Sequence, residues 1–365
     1  MNKLKQTLFL TGMVSSAFLH ADSNFENPPS YLPGEKIKEG QLPGGYNKSA
    51  SYKLKDSWDV YFTADYICWD WLQCGLKLDN PGGFLGFGET ISVTPATISP
   101  GYASGFQVGF GFNMRGMDDW NFYSQYTYYR NSGSTSQFAD LNRGNPIITG
   151  TLNAHGSASI SFDMLDALIQ RPFYFGKKLT ANFVTGLKAL WISNDYDVAG
   201  SVKATMSISA PSPYYAGQAT NDFEYSSDSD ISSWSLGPKF GFESNWLLGY
   251  GVKVLSNVSV SVLYTQYSGH KEETSVGFLE TNNYGSKPYD YDNTKKSSYN
   301  GVKGIKPMLE TYLGLGWGRY ICNEQYHLDV AAGWDFDLLR LSKNTTSGSG
   351  NLGLSGFNLK FRFDF

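Results

Sequence analysis

Most of the chain beyond residue 58 alternates between apolar and polar side chains with a period of two. The closing stretch shows the pattern most simply. Its apolar positions are Phe357, Leu359, Phe361, Phe363 and Phe365, and its polar positions are Asn358, Lys360, Arg362 and Asp364. Successive side chains of a β-strand point to opposite faces of the sheet, so this alternation predicts strands with one apolar face.

Ten segments carry the alternation. The clearest are residues 105–114, 179–191, 254–266, 307–317, 326–339 and 356–365, and the weaker ones are 58–71, 120–130, 154–170 and 231–246. Strands of soluble proteins average about 5–6 residues, whereas a tilted membrane strand needs about 9–11, which is the length seen here. Residues 202–208 alternate as well, so ten strands is a minimum and the predicted range is 10–14.

The polar face and the connections both indicate a membrane barrel. The polar face is rich in Gly, Ser and Asn with scattered charge, as expected for a polar barrel interior. Connections 116–119, 171–178, 248–250 and 318–325 are short, whereas 72–102, 131–153, 193–230 and 268–305 are long. We therefore predict an all-β, transmembrane antiparallel β-barrel with short periplasmic turns and long extracellular loops. Aromatic residues near strand ends fit interfacial girdles; they are Tyr126, Tyr128, Trp191, Tyr264, Trp317 and Trp334.

The N-terminal region is predicted to be processed and then extended. Lys3 and Lys5 precede an apolar stretch at residues 7–19, which predicts a signal peptide over residues 1–21. A membrane anchor is the alternative, although the stretch is short for a spanning helix. Residues 22–57 contain four prolines and are predicted to form a periplasmic linker, with the barrel at 58–365.

Composition excludes several kinds of function. The chain has 29 Lys and Arg against 33 Asp and Glu without a basic cluster, so nucleic-acid binding is not expected. Cys68, Cys74 and Cys322 are too few for a disulfide framework. They are either small half-buried side chains or, in the case of Cys322, a candidate for an intermolecular disulfide in an oxidising compartment.

No catalytic residue, metal site or cofactor is predicted, and the protein is not expected to be an enzyme. The sequence has no Gly-x-Ser-x-Gly elbow, no His-Glu-x-x-His motif and no Walker-type loop. His155 near Ser157 and His327 near Asp329 are the pairs that could suggest catalysis. Chance neighbours in a Ser-rich strand explain the first pair more simply, and polar lining of a lumen explains the second.

Several segments resemble a known family. The segments 119–130 (DWNFYSQYTYYR), 173–192 and 313–336 resemble the major outer membrane proteins of chlamydia-like bacteria and the related Legionella-type pore-forming outer membrane proteins. The segment 59–71 (DVYFTADYICWDW) fits the first strand of that family, and the terminal Phe365 fits its last strand. The resemblance implies a surface-presented barrel in the bacterial outer membrane that conducts small solutes. The low cysteine count departs from the chlamydial members and argues against a disulfide-crosslinked envelope network.

Two functions remain open from the sequence. The sequence favours a porin-like pore for passive diffusion of small hydrophilic solutes in a major surface protein, because the inward faces are small and polar over many strands. The alternative is a non-conducting barrel acting as an adhesin or structural surface protein. The pore-lining candidates are Gln107, Asn113, Lys188, Glu310, Asp329, Asp335, Lys360 and Arg362. They carry both signs of charge, so no ion preference follows.

The expected partners follow from the same predictions. They are the lipid bilayer of the outer membrane, the barrel insertion machinery and small hydrophilic solutes, while homo-oligomer formation is left open. A C-terminal strand ending in Phe365 also resembles the signal that the insertion machinery reads.

Overall fold

In the part of the chain that the structure describes, ten antiparallel strands form a ring. The computed structural model describes residues 54, 58–73, 96–114, 119–144, 147–175, 178–208, 217–281, 289–340 and 351–365. The strands are β1 (Val60–Gln73), β2 (Tyr102–Asn113), β3 (Asn121–Gly144), β4 (Ile147–Phe175), β5 (Leu179–Ile208), β6 (Gly217–Gly249), β7 (Val252–Thr281), β8 (Tyr289–Ile321), β9 (Tyr326–Arg340) and β10 (Asn351–Asp364). Each strand pairs with its neighbours in sequence, and β1 pairs with β10, so the barrel is closed. Within the described ranges, no helix is long and apolar enough to cross a membrane.

The two chain ends close the ring. The Val60 amide donates to the Phe365 carbonyl over 3.3 Å, and the Phe365 amide donates to the Val60 carbonyl over 3.0 Å. The Phe365 ring stacks on Phe62 with 5.7 Å between centroids. Backbone groups in hydrocarbon have no water to bond, so this pairing removes the edges that an open sheet would leave in the bilayer. The predicted closing strand is confirmed, while the predicted signal peptide and all of the linker except Leu54 lie outside the described residues.

The strands are much longer than predicted. Strands β3 to β8 contain 24 to 33 residues each, more than twice the length that a tilted membrane crossing needs. The loops predicted at 131–153, 193–230 and 268–305 are therefore wrong for most of their length, because these residues continue the strands. Residues 202–208 extend β5 and do not form an additional hairpin.

Short turns lie at the end of the barrel opposite to the long extensions of β3 to β8. Tyr250 and Gly251 alone connect β6 to β7, and Gly249, Tyr250 and Gly251 all have positive φ. This backbone conformation is easily adopted by glycine and allows the tight reversal. Cys322, Asn323 and Glu324 lie between β8 and β9, also with positive φ. These short connections mark the periplasmic rim.

Aromatic rings mark where the barrel wall crosses the membrane. Trp191 and Trp234 lie directly opposite each other on β5 and β6, and each is more than two-fifths exposed on the outer face. Trp246 is half exposed nearer the periplasmic end of β6. Between these levels the outer face of β6 carries exposed apolar side chains, including Phe240 and Phe242. The barrel thus has an apolar lipid-facing band between two aromatic girdles.

Strand β4 changes its polarity where it leaves this band. Toward the periplasm, Leu165 and Ile169 are exposed on the outer face and Asp166 is buried inside. Farther toward the extracellular side, Ile160 and Phe162 are buried inside. The outer positions there are Ser157, Ser159, Ser161 and Asp163. The girdle that contains Trp191 and Trp234 is the extracellular girdle. We call the portions of β3 to β8 beyond it the extracellular wall; the apolar side chains of this wall point inward, as in a soluble protein.

Candidate functional site: the barrel interior

An apolar layer fills the barrel interior at the level of the extracellular girdle. It is formed by Ile67, Trp69, Trp71, Phe162, Met164, Leu190, Ile192, Leu263, Met308, Leu339, Leu352 and Leu354. These side chains come from β1, β4, β5, β7, β8, β9 and β10, so they meet from opposite sides of the ring. Each is at most 5% exposed. Eight strands already bring interior side chains into contact, and in this ten-stranded ring large side chains such as Trp69 and Phe162 fill the added width.

Trp69 anchors this layer to the polar interior beneath it. Its indole Nε1 donates to Asp335 Oδ2 over 3.1 Å, while its backbone carbonyl accepts from the Tyr129 hydroxyl over 2.8 Å. A buried indole needs a partner for its N–H, and Asp335 provides it. Asn358 Nδ2 also donates to Asp335 Oδ2, over 2.6 Å. The lower surface of the apolar layer is therefore fixed by directional bonds as well as by packing.

Four charged side chains form an ion network just below the apolar layer. Lys188 Nζ lies 2.9 Å from Asp166 Oδ1 and 2.9 Å from Glu310 Oε1. Lys239 Nζ lies 3.0 Å from Asp166 Oδ2 and 3.0 Å from Glu310 Oε2. The Lys188 side chain is fully buried. Two cations and two carboxylates from β4, β5, β6 and β8 thus alternate across the interior, and each charge is compensated.

A polar cavity of about 630 Å³ occupies the periplasmic half of the interior. It extends to the rim, where Asp59, Asn113 and Asp119 line it. Deeper in the barrel its wall includes Asp65 and Glu243. The interior therefore has three levels: a packed apolar layer, an ion network and a hollow polar cavity.

All eight predicted pore-lining residues lie on the inner face of the barrel. Lys188 and Glu310 belong to the ion network, and Asp335 accepts a hydrogen bond from the Trp69 indole. The other five residues have the following partners: Gln107 accepts from Gln125 over 3.1 Å, Asn113 accepts from Asn121 over 3.0 Å, Asp329 pairs with Lys253, Lys360 Nζ lies 4.0 Å from the Tyr312 ring centroid, and Arg362 donates to Asp364 over 2.6 Å. Their role in conduction remains a prediction.

Sequence reasoning missed Asp166, Lys239, Asp65 and Glu243 in the interior. A signal for two of them was present. Lys239 and Glu243 flank Phe240 and Phe242 on β6, and both aromatic side chains are more than half exposed on the outer face. Because successive side chains alternate between faces, a charge beside a lipid-facing aromatic residue must point inward.

The two histidine pairs considered for catalysis have different partners from those expected. The His155 ring Nδ1 lies 3.0 Å from the Ser136 hydroxyl, whereas Ser157 donates to Asp197 and Ser159 donates to Asp195. His327 Nδ1 lies 3.3 Å from Asp364 Oδ2, while Asp329 pairs with Lys253. In the described part of the chain, no group of three or more His, Cys, Asp or Glu side chains is arranged to hold a metal ion.

Cys322 and Phe365 are both found at the periplasmic end. Cys322 is free and exposed in the turn between β8 and β9, and Cys68 is free and half-buried on β1. Cys74 lies outside the described residues. An intermolecular disulfide at Cys322 and an insertion signal at Phe365 both remain predictions.

Comparisons with solved structures give distant matches. The outer membrane protease OmpT from Escherichia coli is 8% identical, with 87% of this chain and 99% of that chain covered and a TM-score of 0.31. The transport unit of the Escherichia coli autotransporter AIDA-I is 8% identical, with 85% and 91% covered and a TM-score of 0.28. The P. putida toluene transporter TodX is 8% identical, with 85% and 91% covered and a TM-score of 0.21.

A family comparison gives a much stronger result. No curated protein matches the chain. The family model described as Legionella pneumophila major outer membrane protein precursor matches residues 46–365, which include all ten strands. The closed ring and the apolar outer band agree with an outer-membrane location. The chain is an outer-membrane β-barrel and belongs to the Legionella major outer membrane protein family.

Proposed function

We propose that this protein is a non-conducting, non-enzymatic structural protein of the outer-membrane surface. The observation that carries the proposal is the apolar layer, which crosses the interior at the extracellular girdle. Ile67, Phe162 and Leu190 in this layer are each 0% exposed. Hydrated ions and small polar solutes would have to lose their hydration shells to enter such a layer.

The extracellular wall supports a role at the cell surface. On β5 and β6 its outer face presents carboxylates at Asp195, Asp197, Asp228 and Asp230. Its inner face has an apolar core that includes Leu152, Val202 and Phe223, each at most 4% exposed. This second core stabilises the wall where no lipid surrounds it, so the long strands form a folded surface structure.

A diffusion pore for small hydrophilic solutes is the second candidate function. The observation that favours it is the polar cavity of about 630 Å³ in the periplasmic half. Four of the eight pore-lining candidates, Asn113, Asp329, Lys360 and Arg362, line this cavity. Under this alternative, the apolar layer would have to open before solutes could pass.

Planar-bilayer recording distinguishes the two functions. The full chain, folded in detergent and reconstituted, is expected to give no stepwise conductance, because the apolar layer is packed across the barrel. A double variant, Trp69→Ala with Phe162→Ala, removes two of the largest side chains of the layer and is expected to produce conductance steps.

The matched control removes two large aromatic side chains from the outer face. Trp234→Ala with Phe240→Ala leaves the apolar layer intact and is expected to remain silent. Heat-dependent gel mobility establishes that each variant is folded. Stepwise conductance of the unmodified protein, at the same level in all variants, would overturn the proposal and establish the pore.

A further inference from the structure

We propose that the polar cavity in the periplasmic half of the barrel is a binding site for a small organic cation with primary ammonium groups, such as a linear polyamine. Asp65 and Glu243 are the two carboxylates proposed to hold it. Both line the cavity, on β1 and β6 respectively. The proposal concerns binding from the periplasmic side and does not depend on whether the barrel conducts.

Asp65 is a buried carboxylate whose charge is poorly compensated. Its side chain is 3% exposed, and Lys360 Nζ approaches Asp65 Oδ2 only to 3.9 Å. Gln125 Nε2 lies 3.5 Å from the same oxygen, which is at the limit of a hydrogen bond. Asp65 Oδ1 has no hydrogen-bond partner among the described residues. A buried carboxylate without such partners is costly, and a donor ligand would lower that cost.

Other acceptors in the same cavity also lack partners. The Tyr312 hydroxyl and Asn257 Oδ1 are buried atoms without a hydrogen-bond partner among the described residues, and both residues line the cavity. The Asn257 amide oxygen can only accept hydrogen bonds, and the Tyr312 hydroxyl oxygen can accept them. A ligand that satisfies these groups must carry several N–H donors, and an ammonium group has three.

Glu243 provides a second carboxylate, which forms no ion pair among the described residues. Its two oxygens accept from neutral amides, with Gln170 Nε2 at 3.3 Å and Asn182 Nδ2 at 3.4 Å. Both distances are longer than the usual range for N–H···O bonds, so the carboxylate could form a closer contact with a charged donor. Two carboxylates in one cavity match a ligand with more than one ammonium group.

Three of the four described cations around the cavity are engaged by carboxylates other than Asp65 and Glu243. Lys239 belongs to the ion network, Lys253 pairs with Asp329, and Arg362 donates to Asp364. Lys360 lies over the Tyr312 ring. Repulsion of a cationic ligand by these four groups is therefore reduced, since three of them are matched by their own carboxylates.

Isothermal titration of the folded full chain in detergent with spermidine tests the proposal. We expect saturable binding at constant ionic strength. Asp65→Asn and Glu243→Gln should each weaken binding by about tenfold or more, because a hydrogen bond to a charged group typically contributes that much. Both substitutions preserve side-chain shape, so the barrel fold should be retained.

The controls lie on the same two strands but on the outer face. Asp70→Asn on β1 and Glu224→Gln on β6 remove one carboxylate each outside the cavity and should leave the affinity unchanged. Absence of saturable binding would overturn the proposal, as would equal affinity in all four variants. Displacement of spermidine by Mg²⁺ at matched ionic strength would also overturn it, because it would show general attraction of cations.

Discussion

The outer face of the same strands has opposite polarity in two regions of the barrel. Within the membrane, β5 directs Leu187 outward and Lys188 inward. In the extracellular wall it directs Asp197 outward and Val198 inward, with Val198 2% exposed. The strand does not turn over between these points. The chemistry of the two faces is exchanged while the alternation of side-chain directions continues.

The difference shows that the surrounding solvent determines the polarity of each face. Lipid surrounds the membrane part, so the outer face must be apolar and charged groups are confined to the interior. Water surrounds the extracellular wall, so its apolar side chains gather inside as in a soluble protein. The apolar layer lies where the two arrangements meet, which explains why the barrel interior is closed at the extracellular girdle.

The largest expected effect on stability comes from removing a charge from the barrel interior within the membrane part. Lys188→Met leaves Asp166 and Glu310 with Lys239 as their remaining partner in the network. We expect a loss of about 3–5 kcal/mol of unfolding free energy, because one partner of a buried ion cluster is removed. Denaturant titration of the detergent-folded protein, followed by tryptophan fluorescence, measures this change.

A lysine farther along the same strand provides the comparison. Lys203 Nζ lies 2.9 Å from Asp222 Oδ2 in the extracellular wall, and its side chain is 67% exposed. Lys203→Met should have no measurable effect, since exposed ion pairs contribute little. Adding Asp166→Asn to Lys188→Met should recover part of the lost stability. Equal losses for Lys188→Met and Lys203→Met would contradict the distinction between the two regions.

The strand pattern in the membrane could be predicted from sequence because one rule applies throughout that region. An apolar outer face and a polar inner face give a simple alternation, as in residues 356–365. The same rule does not hold in the extracellular wall, so the strand residues there were predicted as loops. Segment 154–170 combines Phe162 pointing inward with Leu165 pointing outward, so its apolar residues do not fit one face. This exchange of faces is the sequence signal that would have identified the long strands.

The interior was predictable in direction but not in packing. The inward direction of Lys188 and Glu310 follows from alternation within each strand. Their meeting depends on how β5 and β8 are placed across the ring, which no single strand reveals. The apolar layer was missed for the same reason: Trp69 and Leu339 are separated by 270 positions, and closure of the barrel brings them into one cluster.

A smaller effect is expected from introducing a charge on the outer face. Leu187→Lys places an ammonium group in the lipid-facing band, where Leu187 is 56% exposed. A lysine near the bilayer midplane costs about 2–4 kcal/mol. Folding into lipid vesicles of defined composition, with denaturant titration, measures the loss.

Ala199→Lys is the matched change on the same strand and the same face. Ala199 is exposed in the extracellular wall, where an added ammonium group remains in water. This variant should be as stable as the unmodified protein. If Ala199→Lys lost as much stability as Leu187→Lys, the position of the extracellular girdle inferred from Trp191 and Trp234 would be wrong.

The smallest effect concerns the pH dependence of the extracellular wall. Asp197 lies opposite Asp228, and Asp195 lies opposite Asp230, all on the outer face. Partial burial and the neighbouring carboxylate of Asp197 raise the pKa of Asp228 above its ordinary value of 3.8. Partial burial also raises the pKa of Asp230, with Asp228 and Asp195 contributing to the same direction.

A raised carboxyl pKa means that the folded wall binds protons more readily than the unfolded chain. The charged carboxylates, partly buried and close to one another, therefore destabilise the wall at neutral pH, and this cost is relieved as the pH falls toward about 4. Hydrogen exchange over residues 195–199 and 226–232, corrected for the intrinsic pH dependence, should show fewer opening events at pH 4 than at pH 6. Asp197→Asn should reduce this difference, while residues 236–242 in the membrane part should show none. More frequent opening at pH 4 would mean that these carboxylates stabilise the wall in their charged form, and the assignment of burial and repulsion to the two pairs would fail.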